Sequence, residues 1–308
     1  MNTTTETPID TVIARVRKVY GGWGRSTTIE QMRRDWDELF GSDAVAATVE
    51  PVSANGLNAQ WITAPGARRD KVVVYFHGGG FQVGSVRSHR ELMACISEAG
   101  ACRVLGVDYR LAPEHRFPAA LHDARAAYEW LLAQGMRAAD IALAGDSAGA
   151  GLVLSTLLSL RDAARPLPAA AVLMSAWTDL TASGQSYETR AQSDPIHQRR
   201  MILAMARNYL GDEGDARDPL ASPLFADLKG LPPLLMQVGD RETVLSDSTQ
   251  LADKARAAGV RVELEVWEHM IHVFQQFPSE LIEARKALQS IGAFLQTHLA
   301  PQLGSVDI

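Results

Sequence analysis

The chain has 308 residues, of which 46% are hydrophobic and 21% are charged, as is typical of a soluble globular protein with a large buried core. Its net charge of −6, without a block of like charge, argues against nucleic acid or an anionic membrane surface as a partner. No apolar run approaches the roughly 20 residues that span a bilayer, and the polar N-terminus lacks the features of a signal peptide.

The predicted elements begin with two amphipathic helices between residues 8 and 40, separated by a Gly-Gly-Trp-Gly loop at residues 21–24. A hairpin of two strands follows, with its turn near Asn55 and Gly56. Beyond it, β-rich apolar runs alternate with helical patterns, which indicates βαβ units and a mostly parallel sheet with helices on both faces. The predicted strands are residues 47–52, 56–63, 72–76, 104–107, 141–144, 170–174, 234–238 and 262–267, and the later helices are 90–99, 119–133, 152–163, 248–258 and 280–299.

Two segments have no place in a regular sheet. They are the N-terminal helices and a polar insertion at residues 180–218, which has a helical core near residues 201–210. We interpret both as a helical cap over the carboxyl edge of the sheet, where open α/β sheets bind ligands. The alternative is that the N-terminal helices pack on the flank of the sheet. The predicted organisation is therefore residues 1–45 as the N-terminal part of the cap and residues 46–308 as the catalytic domain, interrupted by the insertion.

The sequence Gly-Asp-Ser-Ala-Gly at residues 145–149 lies between a predicted strand and a predicted helix. Gly-x-Ser-x-Gly in this setting is typical of a nucleophile elbow, a tight turn that presents the serine at the positive end of a helix. Only glycine at the two outer positions avoids clashes with the neighbouring strand and helix. Because chance rarely produces the pattern between a strand and a helix, Ser147 is the candidate nucleophile.

A serine nucleophile needs a general base, and the base needs an acid that orients it. In α/β-hydrolases the three residues follow the chain in the order serine, acid, histidine. Asp240 and Glu242 come just after the strand predicted at residues 234–238, and either could reach a histidine. His269 and His272 follow the last predicted strand and are the candidate bases. The remaining histidines lie in other loops and helices and have weaker claims: His77, His89, His115, His122, His197 and His298.

The sequence His-Gly-Gly-Gly-Phe at residues 77–81 directly follows a predicted strand. Consecutive glycines let the backbone approach a ligand closely, so their amides could form an oxyanion hole together with the amide of Ala148. Metal binding at His77 is disfavoured, because no second His or Cys stands at a ligand-like spacing. The chain also lacks the Gly-x-Gly-x-x-Gly motif of dinucleotide sites. We therefore expect no metal and no organic cofactor.

With these motifs the chain resembles, from about residue 45 to residue 300, the bacterial hormone-sensitive-lipase-like esterases of the α/β-hydrolase fold. The resemblance also rests on Asp-Tyr-Arg-Leu-Ala-Pro-Glu-His at residues 108–115, Asp-Pro-Leu-Ala-Ser-Pro at 218–223 and His-Val-Phe at 272–274. It implies a mostly parallel eight-stranded sheet flanked by helices, with a helical cap. It further implies Ser147 as nucleophile, His272 as base, and the amides of Gly78, Gly79 and Ala148 as the oxyanion hole.

The family pattern favours His272 over His269, since relatives carry His-x-Phe at this point. Many relatives place an aspartate ten residues after the first proline of a Pro-Pro pair, and the same count from Pro232 reaches Glu242. Glu-Thr-Val stands here in place of the commoner Asp-Pro-Leu, and a branch of the family uses glutamate. We favour Glu242 as the acid and keep Asp240 as the alternative.

The predicted function is hydrolysis of carboxylic esters with short or medium acyl chains, through a Ser-His-Glu triad and an acyl-enzyme. The alternatives are an amidase, lactonase or carbamate hydrolase with the same triad, or a non-catalytic binder of small molecules on this scaffold. The edge strand at residues 262–267 suggests a homodimer. Only two cysteines, Cys95 and Cys102, are present, so we expect reduced thiols and a cytoplasmic location.

Overall fold

The computed structural model describes residues 7–24, 26–41 and 45–299. Its strands are β1 (Thr48–Ala54), β2 (Leu57–Thr63), β3 (Arg68–Phe76), β4 (Cys102–Val107), β5 (Ile141–Asp146), β6 (Ala170–Met174), β7 (Leu234–Gly239) and β8 (Val262–Trp267). They form one eight-stranded sheet in the order β1-β2-β4-β3-β5-β6-β7-β8. The pairs β1–β2 and β2–β4 are antiparallel and the rest are parallel, which confirms the predicted fold class.

Helices lie on both faces of this sheet and at its carboxyl edge. They are α1 (Pro8–Gly22), α2 (Ile29–Phe40), α3 (Arg90–Gly100), α4 (Ala119–Ala133), α5 (Ala148–Asp162), α6 (Ser186–Thr189), α7 (Arg199–Leu210), α8 (Leu245–Ala257) and α9 (Ile282–His298). Side chains of a strand point alternately to its two faces. Accordingly Val72, Val74 and Phe76 pack in the core with α4, α5 and α8, whereas Val73 and Tyr75 pack with α3 and α9.

The helix after the elbow begins earlier than its sequence pattern predicts. The apolar periodicity indicated a start at residue 152, but α5 begins at Ala148, directly after Ser147. Glycines at positions 149 and 151 weaken the helical signal, since glycine is a poor helix former. Tight packing against β3 and the loop after β6 explains why these positions are glycine. A Cβ on Gly149 would lie 2.0 Å from the carbonyl oxygen of Phe76, and a Cβ on Gly151 would lie 2.5 Å from the carbonyl oxygen of Trp177.

The N-terminal helices and the insertion both contact loops at the carboxyl ends of the strands. Val12 and Val16 of α1 pack with Ile271 and Phe274, which follow β8. The insertion contacts the loop after β3, where the ring of Tyr209 in α7 stacks on the ring of Phe81 with centroids 3.8 Å apart. The outer ends of the two predicted domains, residues 1–6 and 300–308, lie outside the described residues, as do residues 42–44 near their boundary.

Within the described ranges, no helix combines the length and the apolar character needed to cross a membrane.

Candidate active site

Ser147 occupies the strained turn that the motif predicted. Its backbone angles are φ 53° and ψ −120°, between the end of β5 and the first residue of α5. A Cβ on Gly145 would come within 2.6 Å of the Gly149 carbonyl carbon, and one on Gly149 would collide with β3. The outer glycines are therefore required by close backbone approach, and the turn holds the serine above the carboxyl edge of the sheet.

His272 and Glu242 form a buried pair beside this turn. The imidazole Nδ1 lies 2.8 Å from Glu242 Oε2, and the carboxylate is fully buried. Its other oxygen accepts a hydrogen bond from Ser175 Oγ at 2.8 Å. Ser175 Oγ in turn accepts a hydrogen bond from the amide of Val273 at 2.9 Å. This small side chain after β6 therefore joins the loop that carries Glu242 to the loop that carries His272. Nothing in the sequence motifs singled out Ser175.

The alternative acid and the alternative base lie elsewhere. Asp240 Oδ1 accepts the backbone amide of His269 at 2.7 Å and makes no hydrogen bond to an imidazole in the part of the chain that is described. The His269 side chain is exposed to solvent. Geometry thus pairs Glu242 with His272, and leaves Asp240 as a brace of the loop after β8.

The environment of His272 fixes its tautomer and raises its pKa. Nδ1 faces a carboxylate, which only accepts, so the ring proton lies there and the lone pair lies on Nε2. Burial lowers the pKa of His272, but the hydrogen bond and charge of Glu242, with the charges of Asp194 and Asp146, outweigh burial and raise it above 6.5. Among the described residues, none bonds to the buried Nε2.

Ser147 and His272 line one small cavity. Its free volume is about 30 Å³, room for roughly two water molecules at about 10–15 Å³ each. The serine hydroxyl is not hydrogen-bonded to the imidazole, as catalytic hydrogen bonds often are not before substrate binds. Most other lining side chains are apolar, and the N-terminal helices and the insertion supply six of them: Tyr20, Trp36, Phe40, Ile196, Ile202 and Met205.

The glycine loop after β3 corrects one prediction. The amide of Gly78 donates to Asp146 Oδ1 at 2.9 Å, and that carboxylate also accepts the hydroxyl of Tyr75 at 2.6 Å. Gly78 is therefore not available as an oxyanion donor, contrary to the expectation from the resemblance. Gly79 and Gly80 line the cavity with Ser147, and within the described ranges their amides have no hydrogen-bond acceptor.

A neutral histidine orients the first of these two amides. His77 Nδ1 lies 2.7 Å from the carbonyl oxygen of Gly78, and its ring stacks on Tyr109 with centroids 4.4 Å apart. Burial, followed by the charge of His89, lowers the pKa of His77 to about 3, so the ring carries a single proton. Donation from Nδ1 pins the Gly78 carbonyl and, because the peptide group is planar and trans, also the direction of the Gly79 N–H.

The insertion brings a second histidine to the site. The ring of His197 meets that of His272 edge-on, with centroids 4.3 Å apart, and it lines the catalytic cavity. Its sequence context indicated only a weaker candidate base and did not place it beside His272. Asp194 holds it there: Oδ1 accepts the amide of His197 at 2.9 Å, and Oδ2 accepts the amide of Thr243, next to Glu242, at 2.8 Å.

The chain is similar in sequence and in structure to known proteins. The model of the α/β-hydrolase fold family matches residues 73–276. The chain is 42% identical over 276 residues to an acetyl-hydrolase of Streptomyces hygroscopicus, covering 89% of this chain and 91% of that protein. It is 37% identical over 246 residues to an esterase of Acinetobacter venetianus, covering 80% and 81%. A solved esterase of the bacterial hormone-sensitive lipase family is 46% identical, with a TM-score of 0.92 over 95% of this chain and 98% of that one.

These similarities agree with the elbow and the Glu–His pair. The match over residues 73–276 first defines the class, a protein of the α/β-hydrolase fold. Within that class, the chain belongs to the bacterial hormone-sensitive lipase family of esterases, as its length-wide identity to solved and curated members shows. The resemblance inferred from the sequence motifs is thereby confirmed.

Proposed function

We propose that this protein hydrolyses carboxylic esters with short to medium acyl chains, with Ser147, His272 and Glu242 as its catalytic triad. The observation that carries the proposal is the 2.8 Å contact between His272 and Glu242, in the cavity that the elbow serine lines. Similarity to an acetyl-hydrolase and to esterases supports the same chemistry.

Acylation begins when Ser147 Oγ attacks the ester carbonyl carbon and His272 Nε2 accepts the hydroxyl proton. Glu242 keeps the ring proton on Nδ1 and stabilises the imidazolium that forms. The tetrahedral intermediate then collapses: the bond from carbon to the alcohol oxygen breaks, and His272 returns the proton to the departing alcohol. The acyl group remains on Ser147 as an ester.

Three backbone amides are proposed to bind the oxyanion of the intermediate. Two are those of Gly79 and Gly80, which face the cavity. The third is that of Ala148, the first residue of α5, whose amide has no acceptor within the helix. Each such donor contributes roughly 3–4 kcal/mol to transition-state stabilisation. Gly80 replaces Gly78 in this assignment, because the Gly78 amide is bound to Asp146.

Deacylation repeats the same steps with water. His272 takes a proton from water, whose oxygen attacks the acyl carbon, and then returns the proton to Ser147 Oγ as the carboxylic acid leaves. Apart from the ester and water, these steps use only side chains and backbone amides of this chain.

We further propose that the N-terminal helices and the insertion act as a cap, which limits the acyl chain. Side chains from both segments line the catalytic cavity. Met205 of α7 lies over Gly80, since a Cβ there would be 2.6 Å from its sulfur. Beyond this side chain lies a second cavity of about 480 Å³, which Met205 also lines. The narrow inner cavity suits a small acyl group, and the larger one can hold a bulkier part of the substrate.

Ser147→Ala tests the proposal directly. With p-nitrophenyl acetate as substrate, kcat should fall by about four orders of magnitude or more, because the nucleophile is lost while the fold is kept. Wild-type enzyme should also be labelled once per chain by an organophosphate at Ser147. Turnover at the wild-type rate in Ser147→Ala would refute the assignment of Ser147 as the nucleophile.

A matched panel of p-nitrophenyl esters and the corresponding anilides separates ester hydrolysis from amide hydrolysis. Esters should be turned over faster at every acyl length. Faster hydrolysis of the anilides would replace the esterase proposal with an amidase, and no turnover or labelling of either kind would indicate a binding protein.

A further inference from the structure

Gln82 makes four hydrogen bonds that none of the catalytic roles assigned above involves. It follows the three glycines of the loop after β3 and is only 6% exposed. Both of its donors face the loop: the main-chain N–H bonds to the Gly79 carbonyl at 3.0 Å and Nε2 to the Gly80 carbonyl at 3.4 Å. Both of its acceptors face outward: the carbonyl accepts from Arg33 Nε at 2.8 Å and Oε1 from Asn208 Nδ2 at 2.7 Å.

The main-chain donor acts on the peptide group that carries the proposed oxyanion amide of Gly80, and the side-chain donor acts on the next peptide group, between Gly80 and Phe81. The Gly79 carbonyl belongs to the same planar peptide as the Gly80 N–H, so fixing the oxygen also fixes the direction of the N–H. Gly79 and Gly80 have φ of +112° and +61°, in regions where glycine moves freely. Such a loop needs external restraints to hold its amides at the position where negative charge develops.

The acceptors receive one bond from each half of the proposed cap. Arg33 lies in α2, and its guanidinium also bonds to the Ala112 carbonyl at 3.0 Å and to both oxygens of Glu114 at 2.8 Å. Asn208 lies in α7, next to Tyr209, which stacks on Phe81. Gln82 is therefore the residue at which both segments reach the glycine loop through hydrogen bonds.

We propose that Gln82 is a positioning residue. It links the positions of the two cap segments to the orientation of the proposed oxyanion amides. When α2 and α7 are in place, the Arg33 and Asn208 bonds hold Gln82, and Gln82 holds the Gly79 and Gly80 carbonyls. The proposal rests on the proposed function, because it takes these amides to be the oxyanion donors.

Two variants and their combination test it. Gln82→Met keeps the length of the side chain but removes both polar groups, and Asn208→Ala removes the bond from the insertion at an exposed position. In Gln82→Met, kcat for p-nitrophenyl acetate should fall about tenfold with little change in KM, less than the 10²–10³ that the loss of an entire donor costs. Asn208→Ala should cause part of that loss, and the double variant should be no worse than Gln82→Met, since one bond is shared.

An inhibitor pair isolates the oxyanion hole. An aryl trifluoromethyl ketone adds to Ser147 and forms an oxyanion, so its affinity should fall by the same factor as kcat/KM. The matching secondary alcohol forms no oxyanion, and its affinity should stay unchanged. A residue that only stabilised the fold would affect both inhibitors alike and lower the melting temperature.

The control is Asp37→Ala. Asp37 also joins α2 to this loop, through a 2.7 Å bond from Ser85 Oγ, but Ser85 lies beyond the glycines. Its kcat and inhibitor affinities should match those of the wild type. Wild-type kcat in both Gln82→Met and Asn208→Ala, or equal losses for the two inhibitors, would overturn the proposal. Failure of the esterase proposal is a separate result, because it would appear as ester turnover that persists in Ser147→Ala, or as a wild type that does not turn over the esters.

Discussion

The charge state of His272 depends on two opposing influences. Burial lowers its pKa, whereas the hydrogen bond and negative charge of Glu242 raise it, helped by Asp194 and Asp146, and the net pKa lies above 6.5. A general base must be neutral to accept the serine proton. Below the raised pKa the imidazole is protonated and inactive, so kcat/KM should increase as the pH rises through that pKa.

Glu242→Gln tests this balance. The carboxylate that favours the charged ring is removed, so burial dominates, the pKa of His272 falls, and the acidic limb of kcat/KM moves to lower pH. The maximal rate should also fall, by about 10³–10⁴, as the tautomer is no longer fixed. Both effects can be read from pH–rate profiles with p-nitrophenyl acetate.

Asp240→Asn is the matched control, since Asp240 bonds to the His269 backbone amide rather than to an imidazole. It should keep both the rate and the pH profile of the wild type. A large loss in Asp240→Asn with a mild effect of Glu242→Gln would show that the acid has been misassigned.

At the scale of single elements, α7 forms part of the wall of the cavity that Ser147 lines. Met205 lines both the inner cavity of about 30 Å³ and the outer cavity of about 480 Å³. Met201, one turn earlier on the same helix, lines only the outer one. Met205 therefore lies where the two cavities adjoin, and Met201 is a matched methionine on the same helix that does not.

Met205→Ala should shift the acyl preference of the enzyme. Removal of the side chain joins the two cavities, so kcat/KM for p-nitrophenyl octanoate should rise relative to acetate, by about 15-fold if two buried methylenes gain contacts at about 0.8 kcal/mol each. The ratio should be measured over a series of acyl lengths. Met201→Ala should leave it unchanged, and an equal shift in the two variants would show that Met205 does not separate the cavities.

At the scale of the whole molecule, the sheet has two open edges, β1 and β8. Val266 of β8 is 45% exposed, although it is a large apolar residue on an edge strand. Edge strands with unpaired backbone groups can pair with a second copy. We propose that two chains associate through β8 in an isologous dimer, as the sequence suggested for residues 262–267.

Light scattering coupled to size-exclusion chromatography tests the dimer. The wild type should elute with twice the mass of one chain, and Val266→Lys should shift it toward the monomer, because a charged side chain on an edge disfavours strand pairing. Thr48→Lys places the same charge on the exposed start of β1 and should remain dimeric. A wild-type monomer, or an equal effect of both variants, would exclude this interface.

Local patterns in the chain were sufficient for most of the elements and for the tight turn at Ser147. The strands at residues 170–174 and 262–267 and the helix at 119–133 were predicted with the bounds that the structure has. Periodicity of 2 or 3.6 and the glycine spacing of the elbow are properties of neighbouring residues, so they can be read along the chain. The order of serine, acid and histidine along the chain narrowed the candidate acids to Asp240 and Glu242 and the candidate bases to His269 and His272.

The choices within the site depended on contacts between distant segments. Asp146 binds the amide of Gly78 across 68 positions and so removes it from the oxyanion hole. His197 contacts His272 because the insertion packs over the carboxyl edge of the sheet. The resemblance favoured Glu242 and left Asp240 open, and only the structure shows that the Glu242 carboxylate faces the imidazole whereas that of Asp240 faces a backbone amide. These contacts have no periodic signature, because hydrogen bonds and ring contacts between remote residues are set by the three-dimensional packing of the elements that carry them.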